Sequence, residues 1–330
     1  MADVAAAAGV SHQTVSRVLN NHPAVSAQTR RRVHEAIAGL GYRRNVVARA
    51  LATGTSHIIG VIVSNTTLSG PSGALLAIEQ AARTHDYWVA MVGLQSQEPS
   101  EMTDAISHFV DLGLDGIIVV TNTETAKDAA LAACGATPTV LVTSARTPPA
   151  YSTVDVDQAG GARTVMTLLR GLGHTRIAHV GGPDGDLHAA ARLGAWREGL
   201  PADVDADALF ATGDWSSGSG YRAAMEVLAR PALPTAVFAA NDRMAFGVLR
   251  ALSERGLSVP GDVSVVGFDD IEGSECSIPP LTTIRQNHNA LGRAAMDLLL
   301  EAMERKPARS HRVPAELIVR ASTGAARRGT

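Results

Sequence analysis

Polar residues at the ends of apolar runs are the first candidates for chemistry in this sequence. Asn241-Asp242 follows Phe238-Ala-Ala, Asp269-Asp270 follows Val265-Val-Gly-Phe, and Ser64-Asn65 follows a run that ends at Val63. Carboxylates and amides of this kind can hold the hydroxyls of a sugar. Each could equally cap the helix that follows, and for Asp242 capping is the stronger reading. Trp215 stands in Gly213-Asp-Trp-Ser216, a loop context in which no strand core needs a large aromatic. Its ring can stack on the apolar face of a pyranose or plug the loop onto the body, and both readings stay open.

A second set lies near the N-terminus. Asp3-Val-Ala-Ala-Ala-Ala8 favours helix and runs to Gly9, a natural helix stop. Ser11 is a good N-cap for a second helix from His12 to about Asn20. Asn21-His22-Pro23 breaks the chain, and Ser26 caps a third helix through roughly Leu40, before Gly41. Val4, Ala8, Val10, Val15, Leu19, Val33, Ile37 and Leu40 recur at spacings that let three helices share one small core. Two short helices joined by a turn with glycine form the helix-turn-helix pattern. His12, Gln13 and Arg17 are then left on the outer face of the second helix. There glutamine can bind adenine through two points, and arginine can do so with guanine O6 and N7. Charge points the same way. Residues 1–50 hold seven arginines against Asp3 and Glu35, a net +5, while the rest of the chain carries −8 within an overall −3. A basic end on an acidic body implies a polyanionic partner for the first fifty residues only.

These residues need a frame. From Thr55 onward, short apolar runs alternate with helix-length amphipathic segments. Residues 57–63, 87–92, 116–120 and 139–142 read as buried strands, and 176–180, 236–240 and 263–267 as a second series. Segments 72–84, 101–112, 158–172, 189–199, 218–230 and 242–255 suit helices. Such alternation, with near-continuous apolar strands, gives parallel sheets covered on both faces. The expected fold class is therefore α/β: a small all-α helix-turn-helix headpiece, then a two-lobed body with doubly wound parallel sheets. The ligand cleft should lie at the strand C-termini.

Composition removes other classes. With 45% hydrophobic and 18% charged residues the chain is ordinary globular material. No apolar stretch approaches the roughly 20 residues needed to cross a bilayer. Met1 to Gly9 lacks the basic start and apolar core of a signal peptide, so the chain is expected in the cytoplasm with no membrane partner. Cys134 and Cys276 have no metal-type spacing and read as two small buried apolar side chains. There is no Gly-x-Ser-x-Gly, no His-Glu-x-x-His and no phosphate loop. Asp203-x-Asp-x-Asp207 with Asp214 has Ala208 where a calcium loop needs glycine, and reads as a solvated acidic loop. Asp269 and Asp270 are adjacent, so they need not flank one glycosidic bond. No catalytic residue, cofactor or metal is expected.

The segment Asp3-Val-Ala-x-x-Ala-Gly-Val-Ser-x-x-Thr-Val-Ser-Arg-Val-Leu-Asn20 resembles the headpiece of the LacI/GalR family of repressors. Tyr42-Arg-Arg-Asn45-Val-Val-Ala48-Arg-Ala-Leu51 resembles its hinge. Four longer stretches resemble its periplasmic-binding-protein-like body: Gly213-Asp-Trp-Ser-x-x-Ser-Gly, Ala240-Asn-Asp-x-Met-Ala-x-Gly247, Ser264-Val-Val-Gly-Phe-Asp-Asp270 and Ile278-Pro-Pro-Leu-Thr-Thr-Ile-Arg-Gln286. The likeness spans nearly the whole chain. It implies that His12, Gln13, Thr14, Ser16, Arg17 and Asn20 meet double-stranded operator DNA. It also implies that Asn45, Ala48 and Leu51 belong to a hinge that becomes helical on DNA, with Leu51 wedging a minor-groove step apart. In the body it implies that Arg192, Asn241 and Asp269 bind sugar hydroxyls and that Trp215 stacks. Gln286 and Ser64 would assist, and Leu68 and Pro71 would form an apolar wall.

Departures accompany the likeness. Thr139-Val-Leu-Val-Thr-Ser144 lacks the carboxylate expected near that point, His288 stands where a phenylalanine would fall, and His188 where a serine would. Few residues precede Asp3, so weaker operator binding is expected than from a chain with a longer start. After Arg320 no apolar heptads follow, which favours a homodimer over a tetramer. The implied domains are 1–41 headpiece, 42–56 hinge and 57–330 effector and dimerisation domain. One lobe would take about 57–156 and 287–315, the other about 157–286 and 316–324. The expected function is a repressor of a carbohydrate-utilisation operon, released from a pseudo-palindromic operator by a small-molecule carbohydrate. A galactoside leads, with other β-glycosides and oligosaccharides open. The alternative is a regulator of another sugar or nucleoside pathway, and a solute-binding protein is more remote.

Overall fold

A computed structural model describes residues 1–19, 22–42, 54–64, 66–95 and 98–327. The chain forms two compact units, Met1–Ser56 and His57–Thr330.

The first unit holds helices α1 (Ala2–Ala8), α2 (His12–Leu19) and α3 (Ala27–Gly39). Gly9, at φ 63°, ends α1 in the left-handed conformation that glycine adopts without strain. The Ser11 hydroxyl accepts the Thr14 N–H at 3.1 Å, and the Ser26 hydroxyl accepts that of Thr29 at 3.2 Å, so both serines cap as their spacing predicts. Val4, Ala5, Ala8, Val15, Val18 and Val33 form the core, with Val10, Leu19 and Ile37 at its margin. Leu40 is a correction. It lies past the last turn of α3 and is 51% exposed, while Ala5 and Val18 take inside positions. Two arginines read only as charge also have structural work. Arg30 donates to Val18 O at 3.5 Å, in the last turn of α2, and to His22 O at 3.1 Å beyond it, and Arg32 donates to Ala8 O and to Gly9 O at the C-terminal end of α1. Cations there satisfy spare carbonyls and oppose the helix dipole.

The second unit contains a six-stranded, wholly parallel sheet in the order β11-β5-β4-β3-β1-β2. Its strands are β1 (Ile58–Ser64), β2 (Trp88–Leu94), β3 (Gly116–Val120), β4 (Thr139–Val142), β5 (Ser152–Val156) and β11 (Ser310–Val313). Period-two alternation sorts its side chains. Ile59, Val61, Val63, Ile118, Val120, Val140 and Val142 share a core with α4 (Ser69–Thr84) and α11 (His288–Met303). Ile62, Ile117, Val119 and Leu141 face α5 (Pro99–Asp111) and α6 (Glu124–Ala133) instead. Both faces are therefore covered, as near-continuous apolar strands require.

A second parallel sheet, in the order β7-β6-β8-β9, builds the other lobe from β6 (Ile177–Gly181), β7 (Phe210–Thr212), β8 (Ala236–Ala239) and β9 (Ser264–Val266). Helices α7 (Gln158–Gly171), α8 (Leu187–Gly199), α9 (Ser217–Leu228) and α10 (Asp242–Glu254) cover it. A small antiparallel pair, β10 (Thr283–Gln286) with β12 (Ala315–Ile318), lies where the chain passes between the lobes. His179 is fully buried here against Trp196 and Phe238, and its Nδ1 meets Phe238 O at 2.8 Å. Burial pushes its pKa down to about 3.

β5 carries Ser152, Thr153 and Asp155 and so lacks the apolar signature, yet it is buried along its length. Cys134 is buried as expected, whereas Cys276 is exposed, which corrects the reading of both as buried apolar side chains. Among the described residues, no helix is long and apolar enough to cross a membrane.

Candidate functional site

The C-terminal ends of the parallel strands open onto one cavity with about 750 Å³ of empty space that communicates with solvent. Ser64, Leu68, Pro71, Arg192, Trp215, Asn241, Asp269 and Gln286 all line it. The structure thus brings together all eight residues that the sequence proposes for a ligand.

Arg192 on α8 is the most constrained. Its guanidinium is buried and donates to Gln158 Oε1 through Nε at 3.0 Å and Nη2 at 2.7 Å, and to the Ala240 carbonyl through Nη1. Its Cζ lies 3.7 Å from the centre of the Phe268 ring, and Nη2 stands 3.7 Å from Asp269 Oδ1. Gln158, the first residue of α7, passes the network on by donating to Gln286 Oε1 at 3.1 Å. Gln286 donates in turn to Asp269 Oδ1 at 2.7 Å, and the Ser69 hydroxyl donates to Asp269 Oδ2 at 2.9 Å. The result is a pre-oriented donor–acceptor surface.

Asn241 has a double duty. Its Oδ1 accepts the Met244 N–H at 2.8 Å and caps α10, and its Nδ2 donates to Trp215 O at 3.1 Å. The cap is therefore Asn241. Asp242, for which the sequence favours capping over ligand binding, instead turns inward and accepts from Thr283, Ser274 and the Ile271 N–H at 2.5, 2.7 and 3.0 Å. Burial first, and the charge of Asp269 second, push its pKa up to about 7. Trp215 is nearly buried, and a Cβ added at Gly182 would lie 2.4 Å from its indole, so that glycine makes room for the ring. A Cβ at Gly247 would meet Ser217 O at 2.1 Å, so α9 and α10 approach closely enough to seat the Trp215 loop beside Asn241. Trp215 at φ 73° and Asp269 at φ 115° both hold conformations that their neighbours must impose. Asp270 points elsewhere and pairs with Arg285 at 2.6 Å and Arg320 at 2.8 Å.

Sequence reading missed several members of the lining. Segment 139–144 carries no carboxylate, but Asp155 on β5 and Asp186 at the head of α8 both reach the cavity. Asp186 caps α8 through the His188 and Ala189 N–H groups and accepts from Asn122. His188 Nε2 stands 3.4 Å from Asp155 Oδ1. Burial opposes protonation of His188, but Asp155 and Asp186 outweigh it and raise its pKa. His288 on α11 lines the same cavity; burial lowers its pKa against the opposing charge of Asp269. Thr121 Oγ1, His188 Nε2 and His288 Nδ1 are buried without hydrogen-bond partners among the described residues. Only the mismatch at 188 and 288 signalled any of these in the sequence.

In the headpiece, His12, Gln13 and Arg17 are exposed, while Val15 and Val18 on the opposite side of α2 are buried. Ser16 is half-exposed, and Thr14 is drawn toward Ser11, with the two hydroxyls 2.9 Å apart. Asn20, Asn45, Ala48 and Leu51 lie outside the described residues.

A helix-turn-helix unit followed by a two-lobed α/β body with a polar and aromatic cleft defines a class of ligand-responsive DNA regulators. Comparison with known proteins places the chain further. Residues 1–45 match the model for bacterial regulatory proteins of the lacI family, and 166–323 match the periplasmic binding protein-like domain. The lactose operon repressor of Escherichia coli (strain K12) is 36% identical over 323 residues, covering 97% of this chain and 89% of that protein. A structure of the lac repressor dimer bound to operator and the anti-inducer ONPF superposes with a TM-score of 0.88, at 36% identity and 98% coverage of both chains. A complex of the transcriptional regulator CelR with cellobiose gives 0.72 at 30% identity, over 97% of this chain and 98% of that one. The chain belongs to the lacI family of bacterial regulatory proteins, a family of transcription regulators rather than enzymes.

Proposed function

We propose that this chain is a cytoplasmic, homodimeric repressor that binds a pseudo-palindromic operator through α2 and is released when a sugar enters the body's cleft. The observation that carries the reading is the convergence of Arg192, Trp215, Asn241 and Asp269, from four separate segments, on one cavity in a chain that also bears the exposed His12-Gln13-Arg17 face. Asp269 offers acceptors and Arg192 donors for hydroxyls, and Trp215 and Leu68 offer apolar surface for a ring face. A galactoside or another β-glycoside suits that mixture. Asn45, Ala48 and Leu51 would form the hinge that folds on DNA. Dimerisation is supported by Trp88 and Met91 on edge strand β2, which are 76% and 53% exposed, and by Leu76 on α4 at 62%. The ligand need only bind the released state more tightly than the DNA-bound one, and that differential sets the size of the response.

The test is a gel-shift titration. Duplexes selected by the chain from a random pool are incubated with it, and a panel of mono- and disaccharides is added. Release by at least one neutral sugar supports the reading. Tightening by sugar makes the ligand a co-repressor, and failure to retain any duplex removes the DNA-binding half.

A further inference from the structure

We propose that His188 and Asp155 together determine which effector is accepted, by clamping a single uncharged hydroxyl of the ligand between an imidazolium N–H and a carboxylate oxygen. The inference rests on the sugar-binding reading of the cleft and names a recognition element within it. His188 stands in the first turn of α8 in one lobe and Asp155 near the end of β5 in the other, and both line the cavity. Their nearest atoms, Nε2 and Oδ1, are 3.4 Å apart, too far for a hydrogen bond of good geometry. His188 Nε2 is buried and lacks a hydrogen-bond partner among the described residues. One oxygen placed about 2.8 Å from each atom closes a triangle on that edge. A hydroxyl there accepts from the imidazolium and donates to the carboxylate, and both bonds are charge-assisted. An anionic group could not do this, because Asp155 would repel it.

The surroundings supply the proton. Asp155 from β5 and Asp186 from the head of α8 hold the His188 pKa above its ordinary value, against burial and the charge of Arg192 one turn along. The other titratable groups that line this cavity are Asp269 and His288, and burial lowers the His288 pKa against the opposing charge of Asp269. Since the charged imidazole makes the stronger clamp, effector affinity should rise as pH falls through the His188 range.

Isothermal titration of the full chain with a panel of neutral mono- and disaccharides, lactose and cellobiose included, at pH 6 and pH 8 tests this. The wild-type chain should bind its best sugar several-fold more tightly at pH 6. His188→Ala should weaken binding at pH 6 by roughly tenfold or more, the loss expected for one hydrogen bond to a charged group. His188→Gln, which keeps a donor but cannot titrate, should restore much of the pH 8 affinity with a flat pH profile. Asp155→Asn should flatten the profile as well. A sugar that binds with the same pH profile in wild type, H188Q and D155N overturns the clamp and leaves the sugar reading standing. An affinity that falls toward acid also overturns it. If no sugar in the panel binds at either pH, the sugar reading falls and the clamp falls with it.

Discussion

His188 apart, the two sides of the cleft are built on opposite principles. On the side of Arg192, Asn241 and Asp269, each of these side chains is already tied to protein: Arg192 to Gln158 and Ala240, Asn241 to Met244 and Trp215, Asp269 to Gln286 and Ser69. On the opposing side, Thr121 after β3 and His288 on α11 point buried polar atoms at the cavity with no partner among the described residues. The first side is a rigid template whose geometry exists before a ligand arrives. The second holds unmet hydrogen-bonding capacity, which a ligand or water must fill. Stability should therefore be concentrated on the template side, and ligand dependence on the other side and at His188.

The largest effect should come from Arg192→Ala. It leaves Gln158 Oε1 and the Ala240 carbonyl without their donor and the buried Asp269 carboxylate without its nearest cation, and removal of one partner from such a buried pair costs roughly 3–5 kcal/mol. Urea unfolding of the chain reads this directly, and a loss below about 1 kcal/mol would mean that the template is not rigid. Next is Gly182→Val. Its new side chain collides with the Trp215 indole, and overpacking of this kind costs about 1–3 kcal/mol. The same unfolding curves measure it, and sugar binding should weaken in parallel. If stability drops while sugar affinity is untouched, Trp215 does not contact the ligand.

Asp242 sharpens the comparison through pH. Its folded pKa of about 7 lies well above the carboxylate value of about 3.9 in an unfolded chain. The folded state thus holds a proton that the unfolded state has released. The stability this confers is full below about pH 4 and is lost as pH rises through 7. Urea midpoints at pH 5, 6, 7 and 8 should fall more steeply in wild type than in Asp242→Asn, and coincident slopes would contradict the assignment. The smallest effect belongs to the other side. Thr121→Val deletes an unpartnered hydroxyl at nearly constant shape, so the unliganded chain should be unchanged or about 1 kcal/mol more stable. A clear destabilisation would show that Thr121 is bonded in the native protein, and the contrast between the two sides would weaken.

Much of the frame was legible because it is local. Gly9, Ser11 and Ser26 mark helix ends through interactions within five residues, and the runs 116–120 and 139–142 announce buried strands by composition alone. The family resemblance by itself assigned Arg192, Trp215, Asn241 and Asp269 to one site. Where local logic offered two outcomes, it erred. Asn241 and Asp242 are both good caps, and only the donors Thr283, Ser274 and Ile271, about 30–40 residues away, decide that the aspartate turns inward.

The sequence by itself therefore determined the three-helix headpiece, the alternation of strand and helix, and the residue types at most strand ends, since each is set by neighbours along the chain. Tertiary structure alone decided how these polar groups pair and which further ones join them in the cleft. Gln158 reaches Gln286, Ser69 reaches Asp269, and Asp155 faces His188 across separations no sequence pattern encodes. It also decided that the carboxylate missing from 139–144 is supplied by β5 and by the head of α8. The reason is geometric: parallel strands deliver their C-terminal ends to one edge of each sheet, so residues distant in sequence become neighbours there.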